Sequence, residues 1–242
     1  MDQYIDANYF WQAVPQILPF LKVTFFVVGL SIFFGTMLSI VLVAMKLSKK
    51  KYLTRIANGY TTIMRCTPSI VLLFLIYYGI PALAAVVHID LQNMHSAVFV
   101  IITFTMQFTA MMSEIIRASY LAVDKGQFEA AVSVGLTPFQ AYRRIIAPQA
   151  FVIAIPNIGN GVINLLQEGS LAYTIGLIDI VGKANLIIAG NMNTHALEVF
   201  IALALIYWIL SIIIEHIFAR LERFFSKGKK SLGTQYKPRG TT

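Results

Sequence analysis

The sequence is poor in charged residues and almost free of cysteine. Charged residues make up 12% of the 242 residues, whereas a soluble globular domain carries roughly 25%, so most of this chain is not expected to face water. The single cysteine, Cys66, excludes an intrachain disulfide and a metal site built on cysteines. The histidines show no metal-ligand spacing; they are His88, His95, His195 and His216.

Signatures of nucleotide chemistry and of covalent catalysis are also missing. The phosphate-loop pattern GxxxxGK[ST] does not occur, so we expect no ATP hydrolysis by that means and no cofactor in this chain. No Ser/His/Asp or Cys/His constellation is recognisable, which disfavours a membrane enzyme. Asp2 and Asp6 precede any lysine, which is the reverse of a cleavable signal peptide, and we expect none there.

Long apolar segments dominate what is present. A membrane helix needs about 20 mostly apolar residues; four segments meet this requirement, and a fifth is apolar but interrupted by Asn and Gly. The predicted spans are 22–45, 56–80, 96–118, 150–168 and 197–218. The sequence therefore predicts an all-α transmembrane domain over 1–226 and a basic, disordered cytoplasmic tail over 227–242, held at anionic headgroups.

Basic residues set the expected orientation. The net charge is +8, but the cations flank apolar runs rather than a soluble face, so nucleic acid is not an expected partner. Sixteen of the 19 Lys and Arg residues follow span one, lie between spans three and four, or follow span five. The positive-inside rule places these regions in the cytoplasm and the N-terminus outside. Five spans require that arrangement, whereas omission of 150–168 would put the basic tail outside.

The cytoplasmic loop between spans three and four, residues 119–149, is predicted to form a helix–turn–helix. The first helix is expected over 127–134 and ends at Gly135 as its C-cap. Thr137 as N-cap and Pro138 at the first helical position open the second helix. That helix is expected to end before Pro148.

The same loop resembles the EAA loop of the permeases of ATP-binding cassette (ABC) importers, whose signature is E-A-A-x3-G-x9-I-x-L-P. Ala147 stands where leucine is usual, and the matching residues are Glu129, Ala130, Ala131, Gly135, Ile145 and Pro148. In that family the loop forms a coupling helix that docks into a groove on the ATPase subunit. The resemblance therefore implies that Glu129, Ala130, Ala131 and Gly135 couple this chain to an ATPase.

Three further stretches are similar to permeases for polar amino acids. They are MRCTPSIVLLFLIYYGIP at 64–81, SEIIRASYLAVDKGQFEAA at 113–131 and LLQEGSLAYTIGL at 165–177. In the last stretch, Gln167, Glu168 and Gly169 replace the family's Lys, Asp and Thr. The related permeases import histidine, glutamine, arginine, cystine and similar solutes, so a polar amino acid such as cystine is the expected solute.

The resemblance also implies an assembly. We expect the type I ABC importer fold in a bacterial cytoplasmic membrane and a second permease subunit, either identical or a sister chain. Two ATPase subunits would bind ATP and Mg²⁺, and an extracytoplasmic binding protein would deliver the solute. The alternative is an ATPase-independent channel or secondary transporter, although no internal repeat supports the latter.

Polar residues inside the predicted spans are candidates for the substrate path. Span four carries a stripe at helical spacing, formed by Asn157, Asn160, Gly161, Asn164, Gln167 and Glu168. Polar groups avoid lipid, so the stripe is expected to line a path or to join helices, and both readings remain open. Further candidates for substrate contact are Gln107, Thr109, Glu114 and Ser170.

Two arginines are expected to be structural. Arg117 stands three residues after Glu114 and can pair with it on one helix face. Arg65 on span two can pair with Glu114 as well, or it can bind a substrate carboxylate. Its depth on the inner side favours the structural role.

Overall fold

The computed structural model describes residues 6–91 and 93–226, in which the regular elements are all helical. The predicted basic tail therefore lies outside the described residues. Short 3-10 and π turns connect some of the helices, which are α1 Ala7–Ile17, α2 Leu21–Lys46, α3 Lys51–Cys66, α4 Ser69–Val86, α5 Ser96–Leu121, α6 Lys125–Ser133, α7 Pro138–Ala141, α8 Ala147–Glu168, α9 Ile180–Gly190 and α10 Ala196–Ser226.

Five described segments are long and apolar enough to cross a membrane, which confirms the number of spans. The segments are Asn8–Lys46, Ser69–Val86, Ser96–Leu121, Pro138–Ile175 and Ala196–Ser226. Helices α2, α5, α8 and α10 coincide with predicted spans one, three, four and five. The N-terminal helix α1 and the apolar helix α9 were not predicted.

The second predicted span, 56–80, is not one helix. The structure divides it into α3 and α4 at Thr67–Pro68. Pro68 disfavours α geometry at the preceding residue, and Thr67 is extended, with φ −93° and ψ 124°. Only α4 is apolar enough to span, whereas α3 has polar and apolar faces. Arg65 therefore lies at a helix break rather than inside a continuous span.

The loop between α5 and α8 folds as the predicted hairpin, except at its end. Gly135 ends α6 in the left-handed region, with φ +89°. The Thr137 hydroxyl accepts from the Gln140 amide, and the Gln140 side chain accepts from the Thr137 amide. The second helix does not end before Pro148, because a π turn over Tyr142–Ile146 leads directly into α8. The chain therefore stays helical through Pro148, and the π turn comes just before the position at which proline lacks an N–H.

Close packing of α2 on α5 forms the centre of the larger hydrophobic cluster. A Cβ added at Gly35 of α2 would lie 2.9 Å from Cδ1 of Phe108 on α5, so the two backbones approach where only hydrogen fits. A second cluster joins α1, α9 and α10 around Ile17, Ile180 and Val199. The α3–α4 break lies outside this second cluster, against α5 and α8.

Candidate solute-binding site and coupling loop

A cavity of about 470 Å³ opens at the α3–α4 break and is hereafter the break cavity. Its polar lining combines residues of α3, the break, α4, α5 and α8, which are Arg65, Cys66, Thr67, Ser69, Gln107, Asn164 and Glu168. Ligand pockets are typically about 300–1,000 Å³. The cavity thus has the size of a small-solute site. Its lining includes one cationic side chain, Arg65, and one anionic side chain, Glu168.

Gln107 lines the break cavity and shows that the cavity lies beside the middle of α5. Its Nε2 donates to Oγ of Ser69 over 3.1 Å, and its Oε1 is buried without a hydrogen-bond partner among the described residues. Nearby, the hydroxyl of Tyr60 donates to the carbonyl of Met106 over 2.8 Å. Because Met106 and Gln107 lie near the centre of the 26-residue helix α5, the break lies level with the middle of this apolar span.

Arg65 reaches the break cavity without an ion pair or hydrogen bond to any residue that the structure describes. Its guanidinium therefore retains five donors. A guanidinium at this depth without a counter-ion is costly unless it faces water or a ligand. The expected structural pairing of Arg65 with Glu114 is not present in this conformation.

Glu114 instead has two other partners. Its Oε1 lies 2.6 Å from Nζ of Lys46, and its Oε2 accepts from Nε and Nη2 of Arg117 over 3.1 and 2.7 Å. Lys46 also donates to Ser113 over 2.8 Å. The predicted partner Arg117 is thus in place. Lys46 was not predicted as a partner, because sequence spacing does not reveal pairs between helices.

The polar stripe of α8 divides between the break cavity and the open surface. Asn164 and Glu168 line the break cavity, and they also line a shallow neighbouring cavity with Gln167 and Ser170. Asn157 and Asn160 are exposed and belong to neither cavity. Gly161 faces α5, where an added Cβ would meet Met111 at 2.7 Å.

Thr109 is the candidate that the structure separates most clearly from the cavities. It is 3% exposed, and its hydroxyl lies 2.7 Å from the carbonyl of Thr105 and 3.3 Å from that of Gly35. These contacts place it in the α2–α5 interface. Sequence reasoning conversely missed Ser69 as a lining residue, although the motif around Pro68 was a signal for it.

The hairpin between α5 and α8 presents apolar side chains at its tip. Val134 and Phe139 are 80% and 72% exposed on the two sides of the Gly135 turn. Glu129 and Ala130 are also exposed, whereas Ala131 is buried. Exposed apolar residues at a tip with a fixed turn are typical of a surface that another protein covers.

The fold and these sites define a polytopic membrane protein with a helical hairpin whose tip exposes apolar side chains. Residues 35–227 match the family described as binding-protein-dependent transport system inner membrane component. The chain therefore belongs to this family, the membrane subunits of ABC importers, which work with an ATPase and a binding protein. Membership disfavours the ATPase-independent channel or secondary transporter.

Curated relatives are similar over nearly the whole chain. The L-cystine transport system permease protein TcyL of Bacillus subtilis (strain 168) is 37% identical, with 98% of each chain covered. The arginine transport system permease protein ArtQ of the same organism is 35% identical, with 87% of this chain and 92% of the relative covered.

Solved structures share the fold. A chain of a structure titled "Crystal structure of an amino acid ABC transporter with histidines" has a TM-score of 0.80 and 28% identity, covering 91% of this chain and 99% of that one. A chain of the MetNI methionine ABC transporter has a TM-score of 0.64 at 20% identity, also covering 91% and 99%, and supports the fold alone. The predicted type I importer architecture is confirmed.

Proposed function

We propose that this chain forms the solute pathway of an importer for zwitterionic amino acids, with cystine as the leading candidate. The observation that carries the proposal is the presence of Arg65 and Glu168 in the lining of one cavity. A guanidinium binds a carboxylate through two parallel hydrogen bonds, and a carboxylate attracts an ammonium group. An α-amino acid carries both of these groups.

The remaining polar groups of the break cavity complement the same solute. The unpartnered Oε1 of Gln107 needs a donor, which an α-ammonium group supplies. The Asn164 amide can both donate and accept. We accordingly assign Arg65, which sequence reasoning treated as structural, to the solute carboxylate. Glu168 and Gln107 are assigned to the ammonium group.

The assembly that we propose contains two permease subunits, either identical or sister chains. Asn157, Asn160 and Gln167 are exposed on α8, and polar side chains in a membrane avoid lipid. A second subunit facing this stripe would enclose a polar path between the two. Two ATPase subunits would bind ATP and Mg²⁺ and engage the coupling loops, and an extracytoplasmic binding protein would deliver the solute in a bacterial cytoplasmic membrane.

Solute analogues with one charge removed test the proposal. The full transporter in proteoliposomes would be assayed for uptake of L-cystine and L-arginine, with amino acid methyl esters and N-acetyl amino acids as competitors. We expect Arg65→Gln to reduce discrimination against the esters, and Glu168→Gln to reduce discrimination against the N-acetyl compounds, each by about tenfold or more. Arg220→Gln on α10 is the matched control. Unchanged discrimination in both variants would refute the assignment.

A further inference from the structure

A second cavity of about 390 Å³ lies beside the helix break, toward the ends of α2 and α5 that lead into the basic loops. This direction is hereafter the basic-loop side, and the cavity is hereafter the inner cavity. It is lined by Asn58, Thr61, Thr62, Arg65, Cys66 and Glu114. Arg65 and Cys66 also line the break cavity, so the two cavities meet at the end of α3. We propose that the inner cavity is a second solute station, which binds the carboxylate of the solute after it leaves the break cavity; this rests on the proposed function.

The position of the inner cavity follows from the helix rise. Asn58 precedes Arg65 by seven residues on α3, and Glu114 follows Gln107 by seven residues on α5. At 1.5 Å per residue, both offsets are about 10 Å, and both point toward the basic-loop side. The inner cavity therefore extends from the break along α3 and α5 toward the basic-loop side.

The free polar groups of the inner cavity share one face of α3. Asn58, Thr62 and Arg65 are spaced i, i+4 and i+7, and all three are exposed. Their side chains have no hydrogen bond or ion pair within the described part of the chain. Thr61, in contrast, donates to the carbonyl of Ala57 over 2.9 Å and is satisfied. An amide, a hydroxyl and a guanidinium are thus available to a ligand.

The charge balance selects the carboxylate end of the solute. Glu114 is held by Lys46 and Arg117, at 2.6 and 2.7 Å, and is not available to an ammonium group. The unpaired charge of the inner cavity is therefore that of Arg65. The same exposed face continues through Arg55 and Lys51 to the start of α3, so positive potential extends from the break toward the basic-loop side.

Arg65 links the two stations. One guanidinium binds one carboxylate in the bidentate mode, so a solute bound through Arg65 occupies the break cavity or the inner cavity, not both at once. Rotation of the long arginine side chain would carry the carboxylate from one station to the other while the ion pair is maintained.

The opposite exposed face of α3, with Tyr52, Ile56 and Ile63, is apolar and suits lipid.

Filling each face of α3 tests the proposal in the full transporter. Thr62→Trp fills the inner cavity, and Ile63→Trp places the same indole ring on the apolar face. We expect Thr62→Trp to lower uptake of L-cystine and L-arginine by about tenfold or more, while solute binding at the break cavity stays within about twofold of the Ile63→Trp control. Uptake by Thr62→Trp equal to that of Ile63→Trp, or equal loss of binding and uptake, would overturn the inner station.

Charged thiol reagents test the sign of the electrostatic potential in the inner cavity. Thr62→Cys and Ile63→Cys would each be made in the Cys66→Ser background, and the Cys66→Ser protein itself would supply the reference rates of uptake and of modification. An anionic methanethiosulfonate should modify the cysteine at position 62 faster than a cationic one does. L-arginine should slow this modification, whereas its decarboxylated analogue agmatine should not. The anionic reagent should not modify the cysteine at position 63. A faster cationic reagent, or no protection by L-arginine, would refute carboxylate binding there. Absence of any amino acid uptake by the unmodified transporter would instead refute the proposed function.

Discussion

The ammonium group of Lys46 lies 2.6 Å from Oε1 of Glu114 and joins the last residue of α2 to the inner half of α5. The Lys46 side chain is 1% exposed, so this contact and the Ser113 hydroxyl hold a buried charge. Arg117 binds the other carboxylate oxygen from a more exposed position, with 36% of its side chain accessible. The Lys46–Glu114 pair should therefore contribute more to the free energy of unfolding than the Arg117–Glu114 pair does.

Glu114→Gln should destabilise the protein more than Arg117→Gln. Loss of the carboxylate leaves Lys46 buried without a counter-ion, which costs about 3 kcal/mol in comparable pairs, whereas exposed pairs contribute roughly 0–1 kcal/mol. Thermal unfolding in detergent should show the larger fall in Tm for Glu114→Gln. Equal shifts for the two variants would contradict this.

Gly35→Ala should loosen the α2–α5 interface. The new Cβ would lie 2.9 Å from Cδ1 of Phe108 and 3.3 Å from the Thr105 carbonyl, and overpacking typically costs about 1–3 kcal/mol. Gly29→Ala on the same helix meets nothing within 4 Å and serves as the control. Unfolding midpoints measured together should fall for Gly35→Ala alone; equal stability of the two variants would refute the close approach.

Gly135→Ala should impair coupling without preventing membrane insertion. Gly135 has φ +89°, and an L-residue there costs about 1–2 kcal/mol, which favours rearrangement of the turn. The measurement is solute-stimulated ATP hydrolysis by the reconstituted transporter. Gly59→Ala, in open space on α3, is the control. Normal uptake by the more severe Gly135→Pro variant would count against a coupling role.

Phe139→Asp should weaken binding of the ATPase subunit. Phe139 is 72% exposed at the hairpin, and a docking surface that buries it loses apolar contact and gains a desolvated charge. Co-purification of the ATPase with the permease should fall about tenfold or more. Phe224→Asp makes the same substitution at the end of α10, where the side chain is 67% exposed outside the hairpin, and is the matched control. Undiminished co-purification would remove Phe139 from the interface.

Asp179 should make stability depend on pH. It caps α9 by accepting from the Gly182 amide over 2.8 Å, and burial raises the pKa of its carboxyl to about 6. The folded state thus binds the proton more tightly than the unfolded state does. Stability should fall as pH rises from about 4 to about 6, by at most about 3 kcal/mol, and stay level above that range. Asp179→Asn keeps a capping oxygen and should flatten the profile; an unchanged slope would refute the assignment.

The long apolar helices were predictable because lipid imposes length and composition on each span. The hairpin caps were predictable as well, since Thr137, Pro138 and Gly135 act through local backbone geometry. The break at Thr67–Pro68 was missed because apolar length outweighed the proline signal. The end of the second hairpin helix was predicted wrongly because Pro148 was read as a stop rather than as part of a π turn.

The polar candidates were predictable only as a set. Helical spacing identifies the α8 stripe, but it does not show which members meet Arg65 across the break. The partnership of Lys46 with Glu114 joins positions 68 residues apart, and no local pattern encodes it. Spacing restricts the faces of single helices, whereas a cavity depends on how several helices are placed together.

The π turn makes the hairpin and the wall of the cavity parts of one rod, Pro138–Ile175, 38 residues long. A force applied near Phe139 reaches Asn164 and Glu168 along helical hydrogen bonds, without passing through a slack connection. Such a rod transmits torque as well as displacement, and its hydrogen-bond ladder departs from regular α geometry at the π turn over Tyr142–Ile146 and at Pro156 inside α8. The stroke delivered at the cavity would then depend on the bending stiffness of the rod at those two points.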